Sequence, residues 1–156
     1  MSTLDLFEKS SALSFPPPRE FQDRTHNLLR TGFFEGHRCQ VVCAPTGAGK
    51  TYLGLRVCYE TVQRKRKDGS PRRALFICDR KTLIKQTDRA AQKYGMPLAG
   101  IIQADNPRFD LGRPFQIASA QTLEARGVVD DFDVVVADEC FVAGTMVLTT
   151  RGPMRI

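Results

Sequence analysis

Two short runs in this 156-residue chain carry side chains that do chemistry in combination. Ala44-Pro45-Thr46-Gly47-Ala48-Gly49-Lys50-Thr51 ends in Gly-Lys-Thr, and Asp138-Glu139-Cys140 follows the apolar run Val134-Val135-Val136-Ala137. Glycines let a backbone curl until successive N–H groups face one anion, and the N-terminus of a following helix adds partial positive charge. Thr46, Gly47, Ala48 and Gly49 are expected to cradle phosphates in this way. Lys50 supplies a mobile full charge, and Thr51 a hydroxyl for Mg²⁺ on the same phosphates. Asp138 is the second expected metal anchor, and Glu139 the group that polarises an attacking water. The combination predicts ATP and Mg²⁺ as ligands. The plainer alternatives are a glycine turn that merely joins two elements and a pair of acids that solvates a strand end.

Positioning these groups requires a strand before each run. Cys39 to Cys43 is short, apolar and β-rich, and Lys50 to about Arg66 has helical periodicity through Leu53, Val57 and Val62, which predicts strand, loop and helix around the glycine turn. Phe21, Leu28, Leu29 and Phe33 predict an earlier helix that Gly32 would stop. Further strands are expected at 74–78, 98–103, 115–119 and 132–137, with a helix over 81–94. The charged, turn-rich stretch 64–73 reads as a surface loop. Such alternation predicts an α/β fold, a parallel sheet with helices on both faces, whose ligands bind outside the carboxyl ends of the strands. The glycine turn and the acids both fall at that edge.

With 42% hydrophobic and 26% charged residues the composition is that of one soluble globular domain. No apolar stretch reaches the roughly 18 residues of a membrane span, and Met1 to Phe15 lacks the features of a signal peptide, so no membrane partner and a cytoplasmic location are expected. The net charge of +6 suits a polyanion such as nucleic acid and equally suits plain solubility. Five cysteines in odd number, without metal-ligand spacing, argue against a disulfide framework or zinc site; Cys39, Cys43, Cys58 and Cys78 sit in apolar runs and are expected in the core. His26 and His37 have no convergent partners and are expected as surface or helix residues.

Several further runs resemble the superfamily 2 helicases and translocases, and specifically their first, RecA-like domain. The family's form of the phosphate loop, Ala-x-x-Gly-x-Gly-Lys-Thr, has alanine where Ala44 stands. Pro18-Arg19-Glu20-Phe21-Gln22 resembles the adenine-recognition element, which implies Gln22 as the base-reading residue, with Glu20 where proline is more usual. Leu75-Phe76-Ile77-Cys78-Asp79-Arg80-Lys81-Thr82-Leu83 and Ile117-Ala118-Ser119-Ala120-Gln121-Thr122-Leu123 look like the family's strand-contacting motifs. That implies Arg80 and Thr122 at the nucleic-acid backbone, with DNA favoured over RNA. The likeness runs from Arg19 to Glu139 and breaks at Phe141, where the Asp-Glu-x-His motif requires histidine.

From Cys140 to Ile156 the chain is similar to the opening block of inteins, which begin with cysteine, carry Thr and Val on a short strand and insert at active-site motifs. The resemblance implies Cys140 as a splicing nucleophile on the Glu139 carbonyl, sulfur being the best side-chain nucleophile near neutral pH. Excision before a returning Cys-His would restore the motif. An ordinary β-hairpin turning at Thr150-Arg151-Gly152-Pro153 is the alternative.

The expected organisation is therefore a flexible leader over 1–18, a helicase ATP-binding domain over 19–139 and a Hint-type intein segment over 140–156. It implies as partners nucleic acid, a second RecA-like domain and, for a natural split intein rather than a truncated frame, a separate C-terminal intein polypeptide. The competing class is a stand-alone phosphate-loop nucleotide-binding or kinase-like module.

Overall fold

The computed structural model describes residues 15–45, 47–104, 106–127 and 131–138, with the two strands at 146–149 and 152–155. In chain order the elements are α1 (Glu20–Phe34), α2 (Lys50–Val62), β1 (Ala74–Cys78), α3 (Lys81–Lys93), β2 (Gly100–Ile102), β3 (Phe115–Ser119), α4 (Ala120–Arg126), β4 (Val134–Asp138), β5 (Met146–Thr149) and β6 (Gly152–Arg155). Strands β2, β3, β1 and β4 lie side by side in that order, all parallel. Helix α3 carries the chain from β1 to β2 and α4 from β3 to β4, each crossover passing a strand that lies between the two it joins.

Alternation along the strands sorts the core into two layers. Ala74, Phe76 and Cys78 of β1 with Phe115 and Ile117 of β3 pack against Leu55 and Cys58 of α2 and Ile84 and Ala91 of α3. On the opposite face Leu75, Ile102 and Ala118 meet Leu123 of α4. The sheet thus has helices on both faces, as the βα alternation predicts. At Gly54 the helix α2 comes so close to the sheet that a Cβ would lie 2.8 Å from the ring of Phe76 and 2.8 Å from Val136.

Several expectations are corrected. Cys39 to Cys43 is extended but joins no ladder. β4 pairs with β1 on one side, and 39–43 does not join its other edge; apolar composition favours a strand but does not ensure its pairing. Val41 and Val135 are accordingly 65% and 49% exposed, and Cys39 and Cys43 are exposed while Cys58 and Cys78 are buried. In α1 the phase is reversed: Gln22, His26 and Gly32 are buried, whereas Phe21, Leu28 and Phe33 are exposed. The helix passes Gly32, which lies against the side chain of Gln40, and ends two residues later. His26 is a helix residue as expected, but a buried one with a partner, its Nε2 lying 3.4 Å from Glu60.

The loop at 64–73 is found where the charge pattern predicts it. Its Arg66 forks onto Asp131 at 2.7 Å and Asp133 at 2.8 Å, and these bonds hold the Asp133 carboxyl below the usual carboxylate range. The short helix α4 was not foreseen. β5 and β6 form a separate antiparallel hairpin with Thr149 opposite Gly152. No helix among the described residues is long and apolar enough to cross a membrane.

Candidate nucleotide site at the carboxyl edge of the sheet

Cys78, Ser119 and Asp138 stand in one register row, so β1, β3 and β4 end together. The segments that leave this row carry the residues singled out by sequence. Asp138 closes β4, Arg80 is the N-cap of α3, and Thr122 lies in the first turn of α4.

The phosphate loop enters the same edge from 39–45. Gly47 and Gly49 have φ of +80° and +86°, a region in which L side chains are strained, and the Ala48 N–H donates to the Pro45 carbonyl at 3.2 Å. Gly49 is the N-cap of α2 and offers no side-chain oxygen, and the first turn of that helix has no acid. Its leading N–H groups and positive dipole end therefore stand available to an anion. Lys50 Nζ donates to the carbonyls of Ala44 at 3.0 Å and Pro45 at 3.3 Å, which folds the ammonium over the loop.

Two segments 87 residues apart in sequence meet where the Thr51 hydroxyl donates to Asp138 Oδ2 at 2.8 Å. A hydroxyl and a carboxylate, both hard oxygen ligands, thus converge beside the anion-facing helix end, and this donor set fits Mg²⁺ sharing phosphate oxygens and water. No cluster of three or more His, Cys, Asp or Glu able to hold a metal by itself occurs among the described residues.

Gln22 is 5% exposed and lies directly over the loop. Its Oε1 accepts from the Arg19 backbone N–H at 2.9 Å and its Nε2 donates to the Ala48 carbonyl at 3.3 Å. A Cβ on Gly49 would collide with that amide. Beside Gln22 opens a cavity of about 390 Å³ walled by Pro16, Pro17, Arg19, Gly47, Lys93 and Tyr94. Periodicity and motif spacing gave no sign of Lys93 or Tyr94, and the expectation of a leader over 1–18 gave none of Pro16 and Pro17, which here wall the cavity. A second cavity of the same size lies beside His26 and Glu60 and is lined by no phosphate-loop residue.

Of the sequence-selected residues, Gln22, Gly47, Ala48, Gly49, Lys50, Thr51 and Asp138 are brought together. Arg80 and Thr122 stand at the start of the helices that leave the same edge. Thr46, Glu139 and Cys140 lie outside the described residues.

Comparison with known proteins agrees with this fold. Over 145 residues the chain is 26% identical to the type I restriction enzyme EcoAI endonuclease subunit of Escherichia coli, a match that covers 88% of this chain and 17% of that protein. The chain therefore spans only a small part of its relative's length. The family model described as type III restriction enzyme, res subunit, matches residues 16–145. Because that match takes in most of the sequence and all of the site described above, the chain belongs to the family of the type III restriction enzyme res subunit.

Proposed function

We propose that this chain is the ATP-binding part of an ATP-dependent nucleic-acid helicase or translocase. The observation that carries the proposal is the Thr51–Asp138 hydrogen bond at 2.8 Å beside the uncapped start of α2. In this reading Thr46, Gly47, Ala48 and Gly49 surround the phosphates, and Lys50 leaves its loop carbonyls for the β- and γ-oxygens. Thr51 and Asp138 hold Mg²⁺, which when bound neutralises charge on the phosphates. Glu139 orients the attacking water and Gln22 faces the adenine. Arg80 and Thr122 contact the nucleic-acid backbone on the same sheet edge. DNA is the favoured nucleic acid, supported by the restriction-enzyme names of both matches. A second RecA-like domain supplies the arginine finger, and its closure on this one drives movement.

Titration of the chain with a fluorescent ATP analogue, with Mg²⁺ and then with EDTA, tests the proposal. Mg²⁺ is expected to tighten binding about tenfold in the wild type, and Asp138→Asn to erase that gain. A wild type that ignores the nucleotide, or binds it equally without metal, sinks the reading. Single-stranded DNA that leaves nucleotide binding untouched, with Arg80→Ala silent, would instead favour the stand-alone nucleotide-binding module.

Residues 140–156 are, in the same proposal, the first piece of an intein, following a leader at 1–18 and the ATP-binding domain at 19–139. Support comes from cysteine at the motif boundary, from Phe141 in the place of histidine, and from a hairpin whose first strand carries Val147 and Thr149. Cys140 Sγ would attack the Glu139 carbonyl, replacing the Glu139–Cys140 amide bond by a thioester and freeing the Cys140 amine, and a split intein would bring its remainder as a separate polypeptide. Mass spectrometry of the host proteome decides: a peptide in which Glu139 is followed by Cys-His establishes splicing, and one in which Glu139 is followed only by Cys140-Phe141 removes it.

A further inference from the structure

Helix α3 carries its cations in one line. Lys81, Lys85, Arg89 and Lys93 follow one another at four-residue spacing and all four are exposed, while Ile84, Thr87 and Ala91 turn to the core. Side chains four apart are neighbours on a helix, so three like-charge pairs are stacked along this face, each of them destabilising the helix on its own. Lys81 also lies in the first turn, where a cation opposes the helix dipole and no acid offsets it. An acid placed to relieve the line exists but is engaged elsewhere. Asp88, three residues from Lys85 and the only acid on α3, accepts from Arg108 at 2.7 Å and 3.0 Å and from Gln92 at 2.9 Å. No acid among the described residues lies within ion-pair distance of the four cations. On α2, by contrast, Arg56 meets Glu60 four residues on at 3.4 Å.

A face that keeps four cations in line without a counter-charge suits a partner whose own charges recur at a regular spacing. Four residues of helix rise about 6 Å, so the line extends over about 18 Å. One strand of duplex DNA carries a phosphate about every 3.4 Å of helix axis, so about five phosphates fall within that reach. The line starts beside Arg80, the exposed N-cap residue at the carboxyl edge of the sheet, and leads away from that edge along the outer side of α3. We propose that Lys85, Arg89 and Lys93, continuing from Lys81, form a track for the phosphate backbone of a nucleic-acid duplex lying against α3, beyond the contacts of Arg80 and Thr122. The track rests on the nucleic-acid reading above and enlarges it from the sheet edge to a helix face. Contacts of this kind position the duplex and carry no base preference.

The test measures binding of a short fluorescent duplex DNA to the full chain between about 50 and 200 mM salt, comparing the wild type with two doubly neutralised forms. Lys85→Gln with Arg89→Gln removes the middle of the line, and Lys65→Gln with Lys67→Gln removes the same charge from the exposed loop ahead of β1, at the opposite end of the sheet. The helix pair is expected to weaken binding about tenfold at the low-salt end and to lower the slope of log affinity against log salt by about 2, whereas the loop pair leaves the slope near that of the wild type. Because like-charge pairs are relieved, the helix pair should melt no lower than the wild type, and its affinity for an ATP analogue should be unchanged. Equal losses in the two forms would be a response to net charge alone and overturn the track, as would a helix pair that binds like the wild type; a loss in Arg80→Ala then keeps the nucleic-acid reading standing. Polyglutamate that displaces the duplex at equal charge concentration would assign the line to an acidic protein instead. A wild type that fails to bind the duplex at the lowest salt overturns the reading and the track together.

Discussion

The two ends of α2 handle polar groups in opposite ways. At the N-terminal end nothing closes the helix: Gly49 supplies no capping oxygen, no acid sits in the first turn, and Lys50 rests on two loop carbonyls. Towards the other end Glu60 is shared between His26 at 3.4 Å and Arg56 at 3.4 Å, beneath the cover of α1. A fold gains stability by closing such groups on one another. Leaving them open at one end and in line with Asp138 is what a site for an external anion requires. The lower end is therefore read as scaffold and the upper end as machinery, and substitutions at the two should separate cleanly.

The sharpest separation is expected at Lys50. Lys50→Ala removes a full charge from the phosphate loop and should weaken nucleotide binding by about a hundredfold or more, the scale seen when one preorganised donor is lost. Its ammonium bonds only loop carbonyls, so the melting temperature should stay within the scatter of surface substitutions. Titration calorimetry and a thermal melt on one preparation check both halves; a large loss of stability would mean that Lys50 belongs to the scaffold after all.

Between the ends lies Gly54, where the helix touches the sheet. Gly54→Val would force side-chain atoms against Phe76 and Val136 and should cost about 1–3 kcal/mol by overpacking. Because Val136 is two residues before Asp138 on β4, displacement here should also reduce the Mg²⁺-dependent part of nucleotide binding. Urea unfolding with an unchanged m-value would confirm a loss of stability without a change of denatured state. Wild-type stability in this variant would show that the helix can lift off the sheet freely, and that the Thr51–Asp138 contact is set by the loop alone.

The sequence disclosed the upper end far better than the lower one. Gly-Lys-Thr and the Val-Val-Val-Ala-Asp run announce themselves locally, since phosphate binding needs those residue types in that order. Their meeting follows once both are placed at strand ends. Strands at 74–78 and 115–119 were legible because strands buried on both faces are largely apolar, Gln116 and Ser119 being the buried polar exceptions. The segment at 39–43 has the same composition but no partner among the described residues, and pairing is a property of two segments that one segment cannot announce. In α1 the periodic apolar residues pointed to the wrong face. Its buried polar positions are Gln22 and His26, whose burial is made tolerable by partners on Ala48 and Glu60 that are 26 and 34 residues away. The ring contacts of Phe15 with Tyr52 and Tyr94 were hidden for the same reason, because the three residues come from separate segments.

The smallest expected effect belongs to His26, and it tests whether the lower end is scaffold alone. Burial pushes the pKa of His26 below the ordinary imidazole value, with Glu60 pulling the other way and Arg56 and Arg30 adding to the depression. The folded state thus binds this proton less readily than the unfolded chain, whose histidine titrates near about 6.5. Stability from this group is fully present above that value and is lost as the pH falls towards the depressed folded pKa, with a slope no steeper than about 1.4 kcal/mol per pH unit. Thermal melts between pH 7.5 and 5.5 should show this decline, and His26→Gln, which keeps a neutral polar group beside Glu60, should flatten it. Nucleotide affinity measured at pH 7.5 should be the same in His26→Gln and the wild type, because the contact sits at the end of α2 remote from Lys50. If the substitution alters affinity as strongly as it alters the melt, the two ends of α2 are coupled, and α1, which carries both Gln22 and His26, is the rigid element that couples them.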